Sequence, residues 1–208
     1  MKLLTYKIKK FDTPQIGVLQ NQLVYNLNHC FGNISLLDLI QLKDYQDQVA
    51  NFISNNDCLK HDIKDITVLP VIPKPTSFRD AYAFRQHVAT SRKNRGSEMI
   101  PEFDQFPVFY FSNHNAMFAD GQNIELMPDH FHRLDYELEF AIVIGKGGKN
   151  ILSKDADNHI AGFCILNDLS ARRLQMEEMK LNLGPAKGKD FANVIGPYLV
   201  TPNEIESK

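Results

Sequence analysis

Two glutamates on one predicted β-strand carry the strongest chemical signal in the sequence. The strand covers residues 134–144, and its period of two puts Glu137 and Glu139 on one face, followed there by Ala141 and Val143. The other face carries Leu138, Phe140 and Ile142. The small apolar residues predict that the acidic face is buried further along the strand. Carboxylates about 6–7 Å apart on a partly buried face repel unless a cation lies between them or one takes up a proton. A divalent metal site and an ordinary solvated pair are the two interpretations.

Two aspartates lie where predicted elements begin or end. Asp168 follows a predicted strand over residues 160–166 and precedes a predicted helix over 170–180. It therefore either projects from the strand end as a functional group or caps the helix. Asp80, near the start of a predicted helix over 77–93, has the same two interpretations.

A histidine accompanies these acids. His87 lies seven residues after Asp80, which on a helix is two turns along the same face, about 10 Å apart. A single histidine is often a packing or surface residue, but alignment with four carboxylates weakens that interpretation. Oxygen ligands favour Mg²⁺, Ca²⁺ or Mn²⁺ over Zn²⁺, and the sequence has no cysteine or histidine cluster. His130 and His132, beside Pro128, are interpreted as surface residues.

Two basic residues follow Asp168. Arg172 lies one helical turn later, where it either clamps a substrate carboxylate or pairs in solvent with Glu177 or Glu178. Lys189 follows a glycine in a loop that lacks the Walker pattern of phosphate-binding loops. The absence of a Gly-x-Ser-x-Gly elbow leaves serine hydrolase chemistry without support.

The elements that must position these residues are mostly short strands. Further strands are predicted at residues 3–8, 16–25, 66–71, 106–111 and 198–200, and two short helices at 35–42 and 45–53. Pro70, Pro73 and Pro75 predict a domain boundary, which divides the chain into a small N-terminal β-domain with two short helices over 1–72 and a second domain over 73–208.

Composition excludes several classes of protein. The 208 residues are 43% apolar, enough for a substantial core, and a net charge of -2 argues against nucleic-acid or membrane binding. No apolar run approaches the ~20 residues that span a bilayer, and the first residues do not form a secretory signal, so a cytoplasmic protein is expected. The cysteines, Cys30, Cys58 and Cys164, are far apart in sequence and are expected to be buried reduced thiols.

Four segments together resemble the fumarylacetoacetate hydrolase family. They are Asp80-Ala-Tyr82 with His87, Tyr136-Glu137-Leu-Glu139, Asn167-Asp168-x-Ser170-Ala-Arg172-x-x-Gln175, and Gly188-Lys189-Asp-Phe191. The resemblance covers roughly residues 77–200, and residues 1 to about 72 are similar to the N-terminal domain of longer members. It implies a mainly β, α+β fold: a mixed β-sandwich roll whose C-terminal portion is incomplete here. Members usually continue with strands that complete the roll and a homodimer surface.

The resemblance also implies a role for each site residue. Its metal ligands are Asp80, Glu137, Glu139 and Asp168, holding Mg²⁺ or Ca²⁺, with Mn²⁺ as a further option. His87 is its general base. The residues that offset developing negative charge are Lys189, Arg172 and Gln175, and those that bind substrate are Tyr82, Tyr110 and Arg95. One departure is Thr90, where members can have the glutamate that orients the histidine; Glu98 and Glu102 are nearby.

The implied activity is metal-dependent hydrolysis of a carbon-carbon bond in a 1,3-diketo acid, of the fumarylacetoacetate or acylpyruvate type, through a metal-bound enolate. Such an enzyme belongs to aromatic amino-acid catabolism and has small oxo acids as partners. The alternatives are a hydratase, decarboxylase or isomerase of a 2-oxo-alkenoate, an inactive truncated fragment that binds metal and exposes sheet edges, and a β-rich binding module without metal.

Overall fold

The computed structural model describes residues 1–8, 13–55 and 58–206, and strands hold more of these residues than helices do. The strands are β1 Lys2–Ile8, β2 Gln15–Gln20, β3 Leu23–Asn26, β4 Lys60–Asp62, β5 Ile66–Val68, β6 Arg79–Asp80, β7 Tyr110–Phe111, β8 Met117–Phe118, β9 Leu134–Ile144, β10 Ile160–Ala171 and β11 Asn193–Val200. The helices are α1 Asn28–Phe31, α2 Leu36–Gln41, α3 Tyr45–Ser54, α4 Arg85–Asn94, α5 Arg172–Met179 and α6 Pro202–Glu206. No helix in these ranges is long and apolar enough to cross a membrane.

Most strands join one sheet that combines both ends of the chain. Its order is β4-β3-β2-β1-β11-β10-β9 with antiparallel neighbours, while β5 pairs with β1 and β8 runs parallel to β11. The β1 and β11 strands meet with Leu3 opposite Leu199. A separate two-stranded ladder joins β6 to β7. The fold is therefore α+β and rich in sheet, as predicted, and among the described strands β9 forms one edge of the sheet.

The main core lies between the sheet and helices α2 and α3. It combines residues from the N-terminal strands, the helices and the C-terminal strands, among them Leu3, Val18, Leu39, Val49, Val143, Leu166 and Leu199. The burial of Val143 confirms that the acidic face of β9 is buried further along. The division near residue 73 stays a prediction, and the two parts that it separates share this sheet and this core.

The predicted helix over 77–93 is wrong in its first half. Residues 79–80 form β6, and α4 begins only at Arg85. Asp80 lies opposite Tyr110 in the β6–β7 ladder, and the Tyr110 hydroxyl donates to Asp80 Oδ2 at 2.5 Å. This tertiary pairing overrides the helical preference of the segment. Asp80 and His87 therefore do not share a helical face.

Other element boundaries also differ from the predictions. Strand β10 continues to Ala171, which is the N-cap of α5 without a side-chain cap, so the interpretation of Asp168 as a helix cap is wrong. The predicted strand over 106–111 shrinks to its last two residues, since Pro107 lacks a backbone donor. The two short helices are confirmed as α2 and α3, and Ser35 forms a capping box with Asp38.

The predicted strand over 16–25 is in fact a hairpin, which generates a test of the fold. Asn21 and Gln22 connect β2 to β3 with φ values of 46° and 69°. Both positions of such a two-residue turn favour glycine or asparagine, because other side chains are strained at positive φ. We expect Gln22→Gly to raise the free energy of unfolding by up to about 1 kcal/mol in urea titrations. Gln20→Gly, within β2, should lower it; a loss in both variants would contradict the turn geometry.

Candidate metal centre

The register of β9 against β10 brings carboxylates from two strands onto one face. Glu137 lies directly opposite Asp168, and Glu139 lies two residues further along β9, opposite Leu166. Side chains that face each other across an antiparallel pair lie on the same side of the sheet. The period of two predicted from the sequence therefore aligns Glu137, Glu139 and Asp168, and Asp168 is almost completely buried.

Three carboxylates converge closely enough to bind one cation. Oxygen atoms of Asp80, Glu139 and Asp168 lie within 4.8 Å of one another. Within the described part of the chain this is the one group of three or more carboxylate, histidine or cysteine ligands that close together. Asp168 Oδ1 is buried and has no hydrogen-bond partner, which is costly unless a ligand satisfies it. An all-oxygen donor set of this kind fits Mg²⁺, Mn²⁺ or Ca²⁺.

A buried lysine pairs with two of the carboxylates on this face, Asp168 and Glu137. Lys189 Nζ donates to Asp168 Oδ2 at 2.5 Å and to Glu137 Oε2 at 2.7 Å, and its side chain is 4% exposed. Such an ammonium is stable in the interior because two carboxylates compensate its charge. Glu137 therefore pairs with the Lys189 ammonium and does not belong to the group formed by Asp80, Glu139 and Asp168.

Arg172 holds Glu137 from the other side. Its Nη2 lies 2.6 Å from Glu137 Oε1 and its Nε donates to Asp135 Oδ2 at 2.9 Å, while Nη1 donates to Gln175 Oε1 at 3.2 Å. The solvent-pairing interpretation of Arg172 is wrong, because Glu177 pairs with Arg173 instead. Sequence reasoning missed Asp135, although the period of two on β9 places it on the acidic face.

The electrostatics divide the acids into two kinds. Burial, reinforced by the charges of Asp80 and Asp168, raises the pKa of Glu139 to about 8. Burial also raises the pKa of Asp168, to about 7, against the opposing effect of Lys189. For Glu137 burial acts in the same direction, but the contacts with Lys189 and Arg172 outweigh it and lower the pKa. The ionised forms of Glu139 and Asp168 are therefore disfavoured in the protein alone, and a divalent cation would stabilise them.

Asn193 is a buried polar residue beside Asp168 that the sequence did not reveal. It is the first residue of β11, lies directly opposite Asp168, and is completely buried. Neither its side-chain oxygen nor its side-chain nitrogen has a hydrogen-bond partner. The residues Glu137, Asp168 and Asn193 form a row across three strands, and this register is visible only once β11 is paired with β10.

Three predicted residues lie on the outside of the molecule. His87 is exposed on α4, and Tyr82 is exposed and stacks on Phe103. Arg95 is the exposed C-cap of α4, and its Nε donates to the Ser91 carbonyl. Their roles in catalysis and substrate binding stay predictions. Tyr110, by contrast, contacts the cluster through Asp80.

One histidine was placed wrongly. His132 is exposed as expected, but His130 is buried and stacks on Phe191 with ring centroids 4.0 Å apart. The surface interpretation of His130 failed because Phe191, 61 positions further along the chain, packs against it.

A small cleft opens beside the cluster. Its volume is about 210 Å³, and its lining includes Tyr110, Asn113 and Asp190. Asn113 Nδ2 donates to the Asp190 carbonyl at 3.0 Å and so joins the two walls. Tyr110 belongs both to this cleft and to the hydrogen bond with Asp80.

Comparison with known proteins assigns the family. The model of the fumarylacetoacetate (FAA) hydrolase C-terminal domain matches residues 76–208, so the chain belongs to the fumarylacetoacetate hydrolase family. A fumarylacetoacetase of Oryza sativa is 34% identical over 122 residues, which are 51% of this chain and 28% of that protein. An uncharacterised protein of Staphylococcus haemolyticus is 28% identical over 99% of this chain and 70% of its own length.

Solved structures share the fold. A fumarylacetoacetate hydrolase from Exiguobacterium antarcticum superimposes with a TM-score of 0.70 at 23% identity, over 98% of this chain and 67% of that one. A maleylpyruvate hydrolase of Sphingobium, solved with manganese(II) and pyruvate, gives 0.67 at 15% identity, over 98% and 68%. A probable 2-hydroxyhepta-2,4-diene-1,7-dioate isomerase of Mycobacterium abscessus gives 0.64 at 25% identity, over 97% and 64%.

The position of Lys189 depends on the glycine before it, which gives a test of the site. A Cβ at Gly188 would lie 2.6 Å from the backbone nitrogen of Gln175 in α5, so Gly188→Ala must displace the loop. We expect a loss of about 1–3 kcal/mol in the free energy of unfolding, measured in urea. Gly147→Ala is the matched control, because nothing lies within 4 Å of its Cβ. Equal stability of the two variants would contradict this close packing.

The raised pKa of Glu139 predicts an inverse pH dependence of stability in chelator-treated protein. Between its ordinary value of 4.5 and about 8, the folded chain keeps a proton that the unfolded chain has released. Raising the pH through this window therefore lowers the free energy of unfolding, and Glu139→Gln should remove that contribution. Glu137→Gln is the control: because the pKa of Glu137 is lowered, its contribution is lost on acidification instead. Identical pH profiles for wild type and Glu139→Gln would contradict the prediction.

Proposed function

We propose that the chain is a divalent-metal-dependent hydrolase that cleaves a carbon-carbon bond in a 1,3-diketo acid, of the fumarylacetoacetate or acylpyruvate type. The observation that carries the proposal is the convergence of Asp80, Glu139 and Asp168 beside the buried Lys189. Three ligand carboxylates and an adjacent ammonium are suited to a substrate that gains negative charge during the reaction.

The three carboxylates would hold the cation, and Lys189 fixes one of them. Lys189 engages Asp168 Oδ2, which leaves Oδ1 without a protein partner for the metal. A bound divalent cation supplies Lewis-acid polarisation of a substrate carbonyl. Mg²⁺, Ca²⁺ and Mn²⁺ all fit the donor set, and the Sphingobium relative was solved with manganese.

The cationic residues balance charge within the site. The Lys189 ammonium lies in a buried position where it offsets negative charge on a departing carbanion, since electrostatic stabilisation is strong where water is excluded. The three donor groups of Arg172 contact Asp135, Glu137 and Gln175, so in this conformation Arg172 orients Glu137. We assign substrate binding to Tyr110 and the cleft beside it.

His87 is our proposed general base, activating the water that attacks the distal carbonyl. It lies on α4, which follows β6 and Asp80 in the chain. In this structure His87 is exposed, so the proposal requires that substrate or a movement of α4 bring it to the cluster.

Turnover of an acylpyruvate tests the function. With Mg²⁺ or Mn²⁺ we expect cleavage into two acids, loss of activity in chelator, and a loss of at least ~10²-fold in Asp168→Asn and His87→Ala. Asp157→Asn and His132→Ala are the controls, since both residues are exposed. Chromatography of the products separates hydrolysis from the hydratase or isomerase alternatives, in which the carbon skeleton stays intact.

Each result has a distinct meaning. Activity that survives chelation contradicts the metal-dependent mechanism. Unchanged turnover in His87→Ala contradicts only the role of His87 as the general base and leaves the metal-dependent mechanism standing. A metal-dependent rise in the midpoint of thermal unfolding without turnover would support a metal-binding fragment, whereas absence of both would support a binding module without metal.

The outer face of β9 favours the fragment as a second candidate. Leu138 is 79% exposed and Phe140 60% exposed, and Ile165 on β10 continues the apolar patch opposite Phe140. The chain also spans only about two thirds of the Exiguobacterium structure that it matches. We propose that polypeptide corresponding to the unmatched part of such family members covers this face, alone or together with a homodimer partner. The site would be active only when the face is covered.

This candidate predicts a specific rescue. The part of the Exiguobacterium protein outside the match, added as a separate polypeptide, should bind the chain and raise turnover. Leu138→Asp should prevent binding, whereas Leu59→Asp, at another exposed leucine, should not. Size-exclusion chromatography with light scattering measures the binding. Full turnover by an isolated monomer would contradict this requirement.

A further inference from the structure

Two cysteines that are distant in sequence meet beside the β3–β4 ladder. Cys30 Sγ lies 2.7 Å from Cys58 Sγ, although 28 positions separate them. Both are thiols in this structure. The thiol state agrees with the prediction from the sequence, although Cys30 is half-buried and the distance along the chain gave no sign that the two residues meet.

Backbone hydrogen bonds on both sides hold the pair in place. Cys30 lies in α1, whose first turn is tied to the end of β3 because Cys30 N donates to the Leu27 carbonyl at 3.0 Å. Cys58 precedes Leu59, whose carbonyl accepts from Asn26 N at 2.7 Å, and β4 pairs with β3 immediately afterwards. The contact between the sulfur atoms therefore follows from the β3–β4 ladder.

The surroundings of the pair favour thiol exchange over metal binding. Cys30 is half-buried and accessible to a small oxidant, whereas Cys58 is buried. A structural zinc site needs further ligands, and in the described residues the one group of three or more potential ligands is the carboxylate cluster. The third cysteine, Cys164, is buried in β10, and burial raises its pKa to about 12. Because thiol exchange requires the thiolate, Cys164 serves as an internal control that we expect not to react.

We propose that Cys30 and Cys58 form a reversible disulfide by exchange with a low-molecular-weight disulfide. The Cys30 thiolate attacks one sulfur of the oxidant, which forms a mixed disulfide and releases one thiolate. The Cys58 thiolate then attacks Cys30 Sγ and releases the second. The protein loses two thiol protons and two electrons, and the small disulfide is reduced to two thiols. The proposal is independent of the proposed function.

The bond would close a loop that contains α2 and α3. These helices contribute Leu39 and Val49 to the core that the site strands share. Restricting this loop in the unfolded chain stabilises the folded state. Oxidation should therefore raise the midpoint of thermal unfolding of the whole chain, by about 5–10 °C for a domain of this size.

Equilibration with oxidised glutathione, then alkylation in denaturant and intact mass measurement, tests the proposal. We expect two of the three thiols to disappear with a mass lower by two hydrogens, a proteolytic peptide pair linking Cys30 to Cys58, and reversal by dithiothreitol. Cys164→Ser should give the same linked peptides and the same thermal shift. Cys30→Ser and Cys58→Ser should give neither.

Two results would overturn the proposal. One is retention of all three thiols after equilibration in protein that circular dichroism shows to be folded. The other is a stable glutathione adduct on Cys30 without the internal bond, which would show that the sulfur atoms do not reach each other. Comparing each serine variant with reduced wild-type protein separates loss of the bond from a packing defect.

Discussion

A buried ammonium between two carboxylates determines how the rest of the site is arranged. Lys189 contacts Glu137 and Asp168, which face each other across β9 and β10. Its positive charge offsets the cost of burying these two carboxylates. Arg172 completes the balance on Glu137. What remains are Glu139 and the free oxygen of Asp168, next to Asp80, where burial raises the pKa and disfavours the ionised carboxylates. The candidate metal site lies where a bound cation would stabilise these carboxylates in their ionised forms.

The same strand that carries this site has an unusual second face. On β9, Glu137, Glu139 and Val143 lie on the partly buried face, while Leu138 and Phe140 point to solvent. Phe140 stacks on Phe163 with ring centroids 5.0 Å apart, which extends the apolar patch onto β10. Large apolar side chains in a contiguous patch on a sheet edge are typical of an interaction surface.

Local patterns predicted the parts of the site that lie on one element, and failed where two distant segments meet. The alternation on β9 placed Glu137 and Glu139 correctly, because side-chain period depends on the strand alone. Asp80 was assigned to a helix, since nothing near it reveals its pairing with Tyr110. The position of Asn193 opposite Asp168 and the contact between the cysteines both depend on which residues pair across neighbouring strands. Sequence motifs carry no information about that pairing.

The pairing of β1 with β11 shows that the region matched by the family and the sheet that contains it do not share the same borders. The family match begins at residue 76, yet the strand that leads away from the site, β11, has its neighbour at residues 2–3. A chain cut at that inherited boundary would lose Leu3 from beside Leu199 and would expose the inner surface of β11 to water. The matched module and the hydrogen-bonded sheet therefore have different borders, and residues 2–3 act as scaffold for the sheet that carries the candidate site.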